Sequence, residues 1–220
     1  EYMRVLGYYG KLPPFTRGFE DGLAFNFWWS TESSGAHDWV ATSAAPYSGS
    51  YSVFLNNFSN QTGTVSEIMS NTVNLQGMSS ATLSYQYAYA KKTSTGPESI
   101  QLLISRDCGV TWALARGLTN SASATNSPFV PSGTGDWRFH SVNISSTYFT
   151  PNFRYKFRVT NNNGNNIYID DINISSVVSI NEIEELSNLV VYPNPFNDIA
   201  TVSFNLRQSA EVSIDLVDVV

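Results

Sequence analysis

The stretch Ala81-Thr82-Leu83-Ser84-Tyr85-Gln86-Tyr87-Ala88-Tyr89-Ala90 decides the fold class. Large apolar side chains alternate with small or polar ones along it. Successive side chains of a β-strand point to opposite faces, so a strand collects them on one buried side. Leu83, Tyr85, Tyr87 and Tyr89 are therefore expected to meet the core. Outward from this stretch, shorter runs repeat the theme: Ser50 to Leu55 before a turn at Asn56-Asn57, the more buried Ser99 to Ser105, then Arg138 to Ile144, Tyr155 to Thr160 and Ile167 to Ile174. Between them lie Asp107-Cys108-Gly109, Gly133-Thr134-Gly135-Asp136 and Asn161 to Asn166, residue types that tolerate turn backbone or hydrogen-bond it locally. No segment sustains a period of about 3.6 residues between caps. Many short strands at close spacing predict an all-β chain, a sandwich or jelly roll.

Composition narrows the setting. The 220 residues are 42% hydrophobic and 14% aromatic, enough for a substantial core. Charged residues make up only 14%, against roughly 25% in typical soluble domains. Their place is taken by 30 Ser, 21 Asn and 17 Thr, which suits an extracellular β-sandwich better than a cytosolic enzyme. The net charge is −6, and no basic run is longer than Lys91-Lys92, so nothing here would neutralise a phosphate backbone. Cys108 is the single cysteine and cannot form an internal disulfide. No apolar run reaches the ~18–20 residues of a membrane-spanning helix. Glu1-Tyr2-Met3-Arg4 reads like the interior of a chain, and Asp215 to Val220 stops within a strand-like run. The expectation is a piece of a larger polypeptide with its targeting signals elsewhere.

Four segments follow from the punctuation. Residues 1–16, with Tyr8-Tyr9-Gly10 and Pro13-Pro14, read as a linker. Residues 17–178 hold the strand signals. Residues 179–188 carry Glu182, Glu184 and Glu185 with no base and read as an acidic linker, and residues 189–220 form a second alternating block. In the first block the pieces Phe19-Glu20-Asp21-Gly22, Trp39, Tyr47-Ser48-Gly49-Ser50-Tyr51-Ser52, the 83–90 strand, Ile104-Ser105-Arg106-Asp107-Cys108-Gly109-Val110-Thr111-Trp112, Asp136-Trp137 and Gly164 to Ile172 stand in an order that resembles the MAM-like "choice-of-anchor J" jelly-roll modules of exported Bacteroidota proteins. In the second, Val191 to Asp198 followed by Ala200 to Leu206 is similar to the opening of the type IX secretion C-terminal sorting domain, a small Ig-like β-sandwich. It lacks that domain's later strands. The resemblance implies a Gram-negative cargo protein, secreted or held on the outer face of the outer membrane, whose sorting motif Tyr192, Pro193, Asn194, Pro195 and Phe196 is read by the outer-membrane shuttle and translocon. Each proline of that motif fixes its own backbone and extends the residue before it. Beyond it, Ala200 to Leu206 and Glu211 to Leu216 are expected to pair across a turn at Arg207 to Ala210.

Chemistry-bearing residues are few. Glu20-Asp21 and Asp170-Asp171 lie at opposite ends of the first block, where first and last strands often neighbour each other. Carboxylates brought together repel unless a hard cation joins them, and calcium takes six to eight oxygens. The resemblance to jelly rolls that hold a structural calcium implies Glu20 and Asp170 as ligands, with Asp171 and Asp21 beside them. Neighbours on a strand point to opposite faces, so Asp170 and Asp171 can both ligate only where the strand has ended. Acids that merely bond local backbone are the alternative. Large aromatics in a disulfide-free sandwich belong mostly to the core, but Trp28 and Trp29 cannot both face inward, so one of them is a candidate sugar-stacking residue. His37 and His140 have no Gly-framed nucleophile beside them, and Cys108 has no histidine base near it in sequence. The reading is a non-catalytic accessory or adhesion module, partnered by the type IX machinery and by glycans or a host surface. Its rivals are the C-terminal region of a secreted pappalysin-like metallopeptidase or other exported enzyme, and a glycan-binding lectin-like module.

Overall fold

The computed structural model describes residues 12–20, 29–93, 98–178, 186–194 and 198–206. The chain divides into two units, Glu1–Val178 and Ser179–Val220. The first contains β1 (Phe15–Arg17), β2 (Trp29–Ser33), β3 (Trp39–Thr42), β4 (Ser52–Leu55), β5 (Val65–Ser70), β6 (Met78–Tyr89), β7 (Ser99–Ser105), β8 (Ala113–Leu118), β9 (Trp137–Asn143), β10 (Arg154–Thr160) and β11 (Ile167–Val178). The second contains β12 (Leu186–Tyr192) and β13 (Thr201–Leu206).

The first unit is a β-sandwich. One sheet runs β3-β4-β11-β6-β9, and β1 lies beside β4 on the same edge of β11; the other runs β2-β5-β10-β7-β8. Every pairing is antiparallel. The alternating stretch forms most of β6, an inner strand of the first sheet between β11 and β9, and Leu83, Tyr85, Tyr87 and Tyr89 are each at most 1% exposed. Facing them from the second sheet are Tyr155, Phe157 and Val159 of β10 with Ile100, Leu102 and Ile104 of β7. The Tyr85 and Phe157 rings meet edge-on, centroids 4.9 Å apart, and tie the two layers together. Each such buried side chain contributes about 1.5–3 kcal/mol. A smaller apolar cluster of Ala45, Ala88, Phe129, Trp137 and Tyr168 occupies the outer face of the first sheet.

Two boundaries differ from the sequence reading. Phe15 and Thr16, placed in the linker, belong to β1, which pairs Phe15↔Ile174 and Arg17↔Ile172. Pro13-Pro14 only limits where that strand begins, because the residues after it keep their N–H groups. In the second unit, β13 pairs with β12 (Leu186↔Leu206, Tyr192↔Thr201), so a strand starts inside the supposed acidic linker. Tyr192 closes β12, and Pro193 and Asn194 sit in the connection to β13. A register shift between Ser187 and Val190 breaks the alternation of Leu186 to Tyr192, which is why the pattern hid this strand. The expected partner Glu211 to Leu216, its turn at 207–210, and Pro195 and Phe196 lie outside the described residues.

Candidate functional site

The two ends of the sandwich sequence meet on one loop. Strand β11 is irregular between Asp170 and Asn173, and Asp171 takes φ +48°. Asp170 is 0% exposed. Its Oδ2 accepts the Tyr47 N–H at 2.9 Å and the Ser48 N–H at 3.3 Å, and its Oδ1 accepts the Asp171 N–H at 2.7 Å. Burial pushes the Asp170 carboxyl up to about 7, although three backbone N–H groups oppose the shift; the neighbouring Asp171 charge adds to it. Asp171 Oδ1 accepts the Ser48 hydroxyl at 2.7 Å. Glu20 follows Phe19, whose φ is +54°. Its Oε2 accepts the Ser50 N–H at 2.7 Å, and its Oε1 the Tyr51 N–H at 3.3 Å.

Three carboxylates thus converge on the loop at 47–51. Glycine is required at one point of the cradle, Gly49, while Gly18 lies in close contact with the same acids. A Cβ on Gly49 (φ +62°) would collide with the Glu20 carboxylate, and one on Gly18 would lie 3.5 Å from Asp171 Oδ1 and 3.7 Å from Glu20 Oε1. Amides and a hydroxyl meet these oxygens. The ion pairs among the described side chains are those of Glu67 with Lys156 and Arg158, on the other sheet. Each carboxylate oxygen has a second lone pair, so the cradle keeps capacity for a hard cation. Among the described residues no three acid, histidine or cysteine side chains stand close enough to hold one ion by themselves. A cation here would complete its shell with backbone carbonyls and water. Asp170 is fully buried against backbone N–H groups, whereas Glu20 is exposed and Asp171 half-buried, which leaves Glu20 and Asp171 as the side chains better placed to ligate. Asp21 lies outside the described residues.

The tryptophans sort differently. Trp29 is 6% exposed and packs against Phe19 and Tyr155, with ring centroids 5.5 and 5.7 Å away. It is core, not a sugar platform, because β2 aims it between the sheets. Trp28 lies outside the described residues. Trp39 and Trp137 are buried. Trp112 covers the Lys156 ammonium at 4.3 Å. His140 stands against Tyr85 and Tyr87, while Asn60 clamps the backbone on both sides of His37. Cys108 is exposed in a left-handed turn.

Sequence reasoning missed a second polar centre, formed by residues 34–38, 56–64, 90–93, 119–136 and 161–166 together with Glu98. The Asn161 side chain donates to the carbonyls of Asn57, Asn60 and Gln61. Asn165 donates to Thr125 and Ser127 and accepts from Phe129, and Asn166 bonds Phe58 and Phe129. The Asn57 amide donates to Glu98 Oε1 at 2.6 Å. Glu98 is 6% exposed. Burial pushes its carboxyl up to about 7, while the Tyr89 hydroxyl, the Asn165 backbone, the Asn57 amide and the Lys92 charge pull it down. Asn161 to Asn166 reads correctly as a turn, but no local signal says that Asn161, Asn165 and Asn166 are buried, nor that an acid following Gly96-Pro97 is.

The architecture is that of an antiparallel β-sandwich of jelly-roll type. The chain matches no known family profile, and no curated protein matches it. Its fold is similar to that of the K2 cleaved adhesin domain of Lys-gingipain, with TM-score 0.53 and 17% identity, covering 74% of this chain and 99% of that one. The K3 domain of the Porphyromonas gingivalis protein gives TM-score 0.52 at 17% identity, and the K1 domain 0.51 at 15%, each covering 74% of this chain and 98% of its own. At these identities the likeness is one of fold.

Proposed function

We propose that this chain is a non-catalytic adhesion or accessory module of a larger exported protein, followed by the first hairpin of a type IX sorting domain. What supports the module is the extent of the match: the sandwich is similar to adhesin domains over 98–99% of their length. What supports the sorting role is the Tyr192-Pro193-Asn194-Pro195 sequence, read by resemblance. Its partners would be the outer-membrane shuttle and translocon, and its destination the cell surface or the medium. A reporter fused to residues 1–220 with the later strands of a sorting domain restored, in a bacterium carrying the type IX machinery, should reach the surface. Changing Pro193 and Pro195 to Ala should retain it in the periplasm. Surface display that survives this change defeats the sorting reading.

The same reading includes one structural calcium in the 47–51 cradle. Glu20 and Asp171 would hold it, Asp170 would fix the loop around it, and Asp21, next to Glu20 in sequence, would be the further acid of the set. The ion would cancel the repulsion of the converging acids and bind the N-terminal segment to β11. It should stabilise the folded state by mass action. Chelator should lower the melting temperature, excess calcium should restore it, and Asp171→Asn should blunt both responses. A melting curve indifferent to chelator removes calcium from the account.

A further inference from the structure

A cleft of about 370 Å³ opens among Tyr89, Lys91, Glu98, Leu118, Thr119 and Asn120, where the loops after β6 and β8 meet the start of β7. That volume falls within the roughly 300–1,000 Å³ of small-molecule sites. Tyr89, Glu98 and Leu118 are buried and form its floor, and the more exposed Lys91, Thr119 and Asn120 form its rim.

The floor carries two polar atoms without partners. Glu98 Oε2 and the Tyr89 hydroxyl are buried, and neither reaches hydrogen-bond geometry with another described group. The two groups are neighbours, the hydroxyl holding the carboxyl down and the carboxylate raising the phenol, through a contact too loose for hydrogen-bond geometry. Leaving such atoms unbonded is costly, and a ligand that bonds them recovers that cost. The site is also built. Asn57 holds Glu98 Oε1, and a Cβ on Gly164 would collide with the Glu98 carboxylate, so that glycine leaves the room the acid occupies. The carboxylate is positioned before any ligand arrives.

We propose that this cleft binds a neutral sugar residue, with ring hydroxyls bonding Glu98 Oε2 and Tyr89 on the floor and Asn120 at the rim. Hydroxyls suit the floor because they donate to the carboxylate and accept from the phenol. An anionic sugar would meet the Glu98 charge, and a cationic ligand the Lys91 ammonium. Lys92 acts on Glu98 only through its charge, because its ammonium donates to Asn163 Oδ1 and lies 4.0 Å over the Phe58 ring. Leu118 offers the apolar wall that a pyranose C–H face needs. The inference rests on the sandwich being a binding module, and it assigns the site to residues other than Trp28 and Trp29.

Methyl glycosides of glucose, galactose, mannose and xylose would be titrated into the isotope-labelled full chain. The expected result is saturable amide shifts at Lys91, Glu98 and Leu118 to Asn120 with at least one glycoside. Glu98→Gln and Asn120→Ala should each weaken that binding about tenfold, the loss of one hydrogen bond to a charged or rim group. Asn120 lies at the rim, so its variant keeps the test valid if Glu98→Gln misfolds. Binding that both variants leave unchanged, or shifts confined to other residues, overturns the cleft assignment while leaving the module reading standing. Absence of shifts with all four glycosides also overturns it, and adhesion of the wild-type chain to whole cells then decides the module reading separately.

Discussion

Gly49 sits in left-handed backbone, and a side chain there would enter the Glu20 carboxylate. Gly63 has φ +86° with open space around it. Replacing each with Ala separates the two effects. Gly63→Ala carries backbone strain alone, about 1 kcal/mol, whereas Gly49→Ala adds displacement of Glu20 and should reach about 2–3 kcal/mol. Urea midpoints at constant m-value would measure both. Glu98 makes a prediction about pH. Its folded-state carboxyl is raised to about 7 from the usual 4.5, so between those values the folded chain binds the proton and the unfolded chain has released it. Stability therefore falls as pH rises from about 4.5 to about 7 and levels off above. Asp170, also raised to about 7, contributes to the same decline, so Glu98→Gln should reduce it by about half in a pH series of chemical melts; an unchanged slope would show that Glu98 does not titrate there. Neither effect is legible in the sequence, where Gly49 is one turn glycine among several and Glu98 one acid among eighteen.

At the scale of elements, β5 and β10 are joined on the outer face by Glu67, which accepts from Lys156 Nζ at 2.8 Å and from Arg158. Burial alone would raise the Glu67 carboxyl, but hydrogen bonds and charge from Lys156 and Arg158 override it and hold it below its ordinary value. Lys156 is 4% exposed and lies under Trp112. Glu67→Gln leaves that ammonium buried without its counter-charge and should cost on the order of 3 kcal/mol, nearly independent of salt. Lys156→Met should cost less, because Arg158 still pairs with Glu67 and the thioether keeps the packing under the indole. Calorimetric melts of the two variants would rank them. The strands that the pattern revealed are β4, β6, β7, β9, β10, β11 and β13, each with alternation or a dense apolar run. Those it hid are short, such as β1 and β3, or bulged, such as β12, or, like β5, put small serines (Ser66 and Ser70) on the buried face beside Ile68. In β8, the register against β7 shifts between Leu102 and Leu103 and leaves Ala115 out of step.

For the whole molecule, the division at 178 and 179 implies separable stability. Residues 1–178 alone should unfold cooperatively with the midpoint of the full chain. Residues 179–220 alone should give a coil-like circular dichroism spectrum, because a two-stranded pair is marginal in water. Its exposed Leu189, Val190, Val191 and Tyr192 point the same way. A lower midpoint for 1–178 would mean that the second unit supports the first. Sequence alone determined that the chain is all-β, that the tyrosine stretch at 83–89 is core, and that the charge is net acidic with no basic run longer than Lys91-Lys92. These follow from alternation, side-chain size and net charge, which need no knowledge of neighbours. Only the tertiary structure decided which strands pair, that Trp29 points inward, that Glu20, Asp170 and Asp171 share one loop, and that Glu98 is buried beside Tyr89. Each of these depends on groups brought together from distant parts of the chain, and the local pattern of polar and apolar residues carries no record of that distance.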